Sequence, residues 1–308
     1  MPKDYHELPR LADSISYIYA EHAIIEQNDS SIMLIQKNGK VPLPVASTTC
    51  LLLGPGTSVT HAAIKAISDN GCMVVWCGEK LGRFYACGMG ETRSAQNLLK
   101  QAALCMDSQA HLEVVKRMYE RRFPKLPKGD YTIQQLRGME GIRVRECYKL
   151  ISRQTGVKWS GRNYKAKDWD ASDPINRALS AANALLYSVC HAAIVSLGYS
   201  SALGFIHTGK MLSFVYDIAD LYKAEVTIPA AFEAVKYNIN PLDLDIDVRM
   251  NCRKRFESIH IMKKIPEDIA WILDVECPEQ PEVPETGDLW DEEGTIGGGV
   301  NYGGESEK

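Results

Sequence analysis

No two of the nine cysteines in this 308-residue chain are spaced as CxxC; they are scattered from Cys50 to Cys277. That absence removes the usual zinc-ribbon and dithiol-redox readings and leaves reduced, partly buried thiols that act as small apolar fillers. The chain also has no apolar run approaching the roughly 20 residues that span a bilayer. Met1 to Arg10 is polar with two prolines, and so lacks the apolar centre of a signal peptide. These features predict a cytoplasmic protein with no membrane partner. Internal repeats are missing too, and so is an excess of positive charge: the formal net charge is -4.

The net charge hides two unlike regions. From Glu276 to Lys308 there are ten acidic residues and one basic residue, whereas residues 116 to 168 hold 15 Lys or Arg against five Asp or Glu. Without the tail the remaining body carries +5. A local excess of cations on that scale suits a phosphate backbone, with a merely solvated basic face as the alternative.

The length favours two domains, and the periodicity divides them. Up to residue 88 the chain reads as short strands. Ile15, Tyr17 and Tyr19 alternate with smaller or polar residues, and Ile32 to Ile35 precede the Asn38-Gly39 turn signal in hairpin fashion. Pro42 and Pro44 place the next segment at a sheet edge, since proline cannot donate to a ladder. Cys50 to Leu53, Met73 to Trp76 and Arg83 to Ala86 supply further strands. One helix interrupts them, capped by Thr60 and ended by Asn70-Gly71. From residue 89 the apolar period lengthens to about 3.6. It predicts helices around Leu98 to Ala103, Leu112 to Tyr119 and Leu136 to Tyr148, and a long one from Pro174 to Leu197. Further helices are expected at Ser213 to Tyr222, Pro229 to Tyr237, Asp247 to Phe256 and Pro266 to Val275. The expectation is an α+β chain: a β-rich, sandwich-like domain with one helix (1–88), an all-helical domain (89–276), and a flexible acidic, Gly/Pro-rich tail (277–308) in which Leu289, Trp290, Ile296 and Tyr302 stand out.

Chemistry concentrates between Phe205 and Lys223. Three-residue spacing puts Asp217, Asp220 and Lys223 along one helical face, opposite a stripe of Phe214, Val215, Ile218 and Leu221. Two carboxylates one turn apart suit a divalent cation, or else form a solvated face balanced by Lys223. His207, before the Thr208-Gly209 turn, can reach the same place, and an imidazole moves the preference from Mg²⁺ towards Mn²⁺. Glu140 is a further candidate, set in an otherwise basic helix with Arg137, Arg143 and Arg145. Gly138 and Gly141 beside it cost a helix about 2 kcal/mol together and call for a close approach by another helix or by DNA. An ion pair of Glu140 with Arg137 or Arg143 is the simpler possibility.

Taken in order, three segments resemble the CRISPR-associated spacer-acquisition integrase/endonuclease family, particularly its type I-E variety. They are QLRGMEGIRVR (Gln135 to Arg145), WSGRNYKAKDW (Trp159 to Trp169) and GFIHTGKMLSFVYDIAD (Gly204 to Asp220). The resemblance extends to about Val275 and fades in the tail. It implies a metal, Mg²⁺ or Mn²⁺, held by Glu140, His207 and Asp217, with Asp220 and Lys223 as additional catalytic positions. It also implies DNA contacts by Arg137, Arg145, Tyr164, Trp169, Tyr187, Lys210 and Tyr216; for Tyr187, inside an apolar helix, core packing is the alternative. The implied activity is insertion of short foreign DNA into a CRISPR array by attack of a 3′-hydroxyl on a repeat phosphodiester, with endonuclease activity at the same site. The implied partners are double-stranded DNA and a second copy of the chain, with two such dimers bridged by a small dimeric CRISPR adaptation protein. A stand-alone repair nuclease for branched DNA and a non-catalytic DNA-binding scaffold are the competing readings.

Overall fold

The Asn38-Gly39 signal makes the hairpin it promises. In the computed structural model, which describes residues 17–28, 31–48, 50–79, 84–88, 95–123, 131–162, 173–238, 243–274, 289–291 and 294–296, strands β3 (Ser31–Gln36) and β4 (Gly39–Leu43) pair antiparallel from Gln36 with Gly39 to Ile32 with Leu43. Gly39 has φ +142°, a region that a side chain would disfavour. Strand β2 (Ile24–Asn28) pairs with the other side of β3 and, in parallel, with the short β6 (Ser58–Val59). The sheet order is β4-β3-β2-β6, so proline-bearing β4 lies at the edge as expected. Strands β2 and β6 were not anticipated.

A second sheet has the order β1-β5-β7-β8, built from β1 (Tyr17–Ala20), β5 (Cys50–Leu53), β7 (Met73–Cys77) and β8 (Phe84–Gly88). Its first three strands run parallel and β8 antiparallel. Both faces of β5 are buried, which is why Cys50 to Leu53 reads as an unbroken apolar run. One face, with Leu51, Leu53 and Val74, packs with Ile25 and Ile32 of the first sheet and with Ile67 of helix α1 (His61–Asp69). Thr60 caps α1 through the amide of Ala63 at 3.3 Å. The other face, with Cys50, Leu52, Met73 and Val75, meets Ala192 and Val195 of the helical region. The strand-rich first part is therefore two sheets with one helix, docked on the rest of the chain.

The helices are α2 (Gln96–Met106), α3 (Ser108–Arg122), α4 (Ile133–Thr155), α5 (Pro174–Ser196), α6 (Ser213–Ala219), α7 (Thr227–Tyr237), α8 (Leu244–Ser258) and α9 (Ile261–Leu273). Helix α4 opens on a capping box formed by Thr132 and Gln135 and stops at Gly156 in the left-handed region. Helix α5 has the length and apolarity of a membrane span, contrary to the sequence expectation, and 72% of its most apolar window is buried inside the protein. Proline did not mark the start of α9: Pro266 sits inside it. Burial of Ile261, Ile265, Ile269 and Ile272 along one stripe outweighs the backbone bond that proline forfeits. The tail was expected to lack structure, yet β9 (Leu289–Asp291) and β10 (Gly294–Ile296) pair antiparallel, Leu289 with Ile296 and Trp290 with Thr295. Averaging acidic and Gly/Pro content over the whole tail concealed two short strand-forming stretches, Leu289–Asp291 and Gly294–Ile296.

His191 marks the junction of the two regions. It lies on α5, 6% exposed, stacked on Phe84 with ring centroids 3.7 Å apart, and its buried Nδ1 has no hydrogen-bond partner among the described residues. Burial pulls the imidazole down from its ordinary 6.5 to about 4. Between those values the unfolded chain binds a proton that the native protein refuses, so stability falls as pH drops, by about 1.4 kcal/mol per pH unit and about 3 kcal/mol in all. Denaturant unfolding across a pH series should show that His191→Leu removes this part of the acid slope; an unchanged slope would exclude His191 as its source.

Candidate active site

Gly204 lets the chain turn tightly ahead of His207. A Cβ there would strike the backbone oxygen of His207 and come within 2.7 Å of Ser213 Cβ and 2.8 Å of the Ser213 carbonyl carbon. The loop then wraps the end of one side chain. The carboxylate of Asp217, 0% exposed, accepts from the backbone amides of Phe205 (2.6 Å) and Ile206 (3.1 Å) through Oδ2. Through Oδ1 it accepts from the His207 amide (2.9 Å) and His207 Nδ1 (2.7 Å). A carboxylate has about four lone-pair sites, and all four are taken. Gly204→Ala should therefore displace the loop, at a cost of roughly 1–3 kcal/mol in thermal or chemical unfolding; wild-type stability in that variant would show that the loop has room to give.

No lone pair of Asp217 is left open in this arrangement, so its carboxylate faces the loop donors and not solvent. Asp217 is a buried anchor. A carboxylate can only accept, so the imidazole donates from Nδ1 and turns Nε2 outward. Opposite it, 3.9 Å away, stands Asp220 Oδ2. Asp220 is the accessible carboxylate of the pair, with its side chain 19% exposed. Helix α6 ends at Ala219, so Asp220 is its C-terminal cap and Lys223 lies in the following turns rather than on a continuing helical face.

Three cations surround Asp220. Lys223 Nζ is 2.5 Å from Oδ1, and Arg122 Nη2, at the end of α3, is 3.6 Å from Oδ2. Arg143 on α4 feels the Asp220 charge and forms a two-pronged bond to Glu140, Nε to Oε2 at 2.9 Å and Nη2 to Oε1 at 3.0 Å. That bond to Glu140 holds the Arg143 guanidinium above its usual value against burial. Burial pulls the Lys223 ammonium down, but Asp220 and Tyr187 more than offset it, and the net shift is upward. Glu140 thus forms the i,i+3 ion pair noted as an alternative. Among the described residues, no three His, Cys, Asp or Glu side chains are already gathered as a metal site.

Tyr187 and Tyr216 join the cluster. Their rings meet edge-on at 5.1 Å, Tyr216 also meets His207 at 5.8 Å, and Lys223 Nζ lies 5.1 Å from the Tyr187 ring centre. Tyr187 therefore packs at the site rather than in a purely apolar interior. Arg137, Arg145 and Lys210 are exposed; Lys210 contributes its backbone, paired with the Ser213 hydroxyl. Tyr164 and Trp169 lie outside the described residues. Gly138 and Gly141 have open space where a side chain would sit, so no packing among the described residues requires them.

Sequence reading missed Arg122 and His111. The Arg121-Arg122 pair looks like routine charge at a helix C-terminus, yet Arg122 is buried, its Nη2 also donates to the backbone oxygen of Asp217 at 3.3 Å, and its Nε has no partner among the described residues. His111 places one ring nitrogen 2.8 Å from the Phe205 oxygen and the other 3.2 Å from the Cys105 oxygen, bracing the loop from behind.

The family model for CRISPR associated protein Cas1 matches residues 16–126 and 121–252. The chain belongs to the Cas1 family. A CRISPR-associated endonuclease Cas1 from Thermus thermophilus is 46% identical over 98% of this chain and 94% of its own length. The Escherichia coli K12 CRISPR-associated endonuclease Cas1 is 42% identical over 88% of this chain and 90% of its own. A crystal structure of a TtCas1–DNA complex superposes with TM-score 0.76 at 48% identity, covering 86% of this chain and 99% of that one. The family of the three sequence segments is thereby borne out, as is its fold: strands first, then helices. These relatives make this Cas1 a member of a nuclease family.

Proposed function

We propose that this Cas1 is a metal-dependent DNA integrase that joins short DNA to a CRISPR repeat, and that the same site hydrolyses DNA when water replaces the attacking 3′-hydroxyl. One observation carries the reading: Asp217 fixes His207 so that Nε2 faces the accessible carboxylate of Asp220. That pairing of an imidazole nitrogen with a carboxylate oxygen suits Mn²⁺ or Mg²⁺. Asp217 does not fit as a ligand, because its lone pairs are spent. We therefore assign the ligand set to His207, Asp220 and Glu140, the last by exchanging its Arg143 partner. When bound, the cation supplies Lewis-acid stabilisation of charge on a phosphate.

The chain's own residues do the rest. Lys223 and Arg122 place positive charge where phosphate oxygens gain it during displacement. Tyr187 and Tyr216 offer faces on which bases stack without regard to sequence. In strand transfer the 3′-oxygen bonds to phosphorus as the P–O bond to the neighbouring nucleotide breaks; the attacking hydroxyl's proton leaves to solvent and the departing oxygen takes one up to end as a hydroxyl.

The DNA complex of TtCas1 supports DNA as the substrate here, and the basic excess of residues 116 to 168 agrees with it. The assembly we propose is two homodimers bridged by the small dimeric adaptation protein, in the cytoplasm. The test is to incubate purified protein, with and without that partner, with short duplex DNA and a supercoiled repeat-bearing plasmid, adding chelator and then metal. Joined product should require metal and rise with the partner. Partner-independent cleavage of branched DNA without joining would favour a repair nuclease, and metal-independent binding alone a scaffold.

A further inference from the structure

The site is balanced in charge before any cation arrives. Among the described residues, the carboxylates of Glu140, Asp217 and Asp220 stand among three cations, Arg122, Arg143 and Lys223. The cations are not loosely placed. Arg122 is 3% exposed at its side chain, rests over the Tyr119 ring at 5.4 Å, and reaches both the Asp217 backbone oxygen and Asp220 Oδ2. A buried guanidinium with an orphan Nε is costly to keep.

We infer that Arg122 is a positioning residue and resident counter-cation: it orients Asp220 and, with Lys223, keeps the site too weakly anionic to hold a divalent cation until a DNA phosphate adds its charge. This inference rests on the metal-dependent reading above. Its physical basis is that a fixed positive charge about 4 Å from a ligand carboxylate opposes an incoming dication strongly even at an intermediate dielectric. A phosphate oxygen reverses the balance twice, by pairing with the cations and by offering the metal another oxygen. Metal and DNA then bind with positive coupling, and linkage requires each to tighten the other by the same factor. An enzyme built this way carries little bound metal away from its substrate, so water has less chance to be activated there.

The test is Mn²⁺ binding, followed by electron paramagnetic resonance of the free ion. It uses full-length protein alone and in complex with a short duplex bearing 3′-dideoxy ends, with DNA alone and the Asp220→Asn complex setting the background. Wild-type protein should bind Mn²⁺ roughly tenfold or more tightly in the complex. Arg122→Gln and Lys223→Gln should each tighten binding to the DNA-free protein by roughly tenfold, while Arg122→Lys, which keeps the charge, should restore the weak wild-type value. The sign separates this from a structural role, because a disordered site would bind Mn²⁺ less well. Lys223, 29% exposed at its side chain, carries the test should Arg122→Gln not fold. Equal Mn²⁺ affinity with and without DNA, or no tightening in either variant, overturns the inference while leaving the metal site standing. Absence of any Mn²⁺ binding above background in both states removes the metal site and the inference together.

Discussion

Asp220→Asn is expected to reduce metal-dependent cleavage and joining of DNA by about three orders of magnitude, with only a modest change in folding stability. The size follows from what a bound cation contributes to a phosphoryl displacement, about 4 kcal/mol, at about 1.4 kcal/mol per tenfold. The stability change stays small because Asp220 is partly exposed and asparagine can still accept from Lys223. Arg122 keeps its bond to the Asp217 backbone oxygen. Cleavage and strand-transfer rates in saturating Mn²⁺, together with thermal melting, check both halves. Rates within tenfold of wild type would remove Asp220 from the proposed ligand set.

Asp217→Ala should behave differently, losing about 3–5 kcal/mol of stability with activity lost as a consequence. The substitution strands three backbone amides and an imidazole N–H that now share one buried carboxylate. Asparagine is no remedy, since its NH₂ would face two of those donors. Chemical unfolding of Asp217→Ala and Asp217→Asn, beside Mn²⁺ binding, decides the matter. An Asp217 variant with wild-type stability and abolished metal binding would restore the ligand role that the sequence suggested for it.

The contrast between these neighbouring carboxylates, one buried and one partly exposed, is not visible in helical spacing. Periodicity placed Asp217 opposite Phe214, Val215 and Ile218 as though the helix were surrounded by solvent on that side. What covers that side is the loop from Gly204 to His207, and its amides make the interior hospitable to a charge. Nothing in local spacing announces that a segment ten to twelve residues upstream will fold back with its donors converging. Arg122 was missed for the same reason: an arginine at a helix end is ordinary until another element buries it.

The sequence alone determined the order of a strand-rich region before a helical one, the cap at Thr60, and the family, because hydrophobic period, turn chemistry and contiguous motifs are local properties of the chain. It also nominated Glu140, His207, Asp217 and Asp220 together. Tertiary structure decided which carboxylate is anchor and which is open, which cations face them, and that Glu140 rests on Arg143. Burial and hydrogen-bond partners are supplied by residues distant in the chain, and they set whether the same aspartate is a structural charge or a ligand.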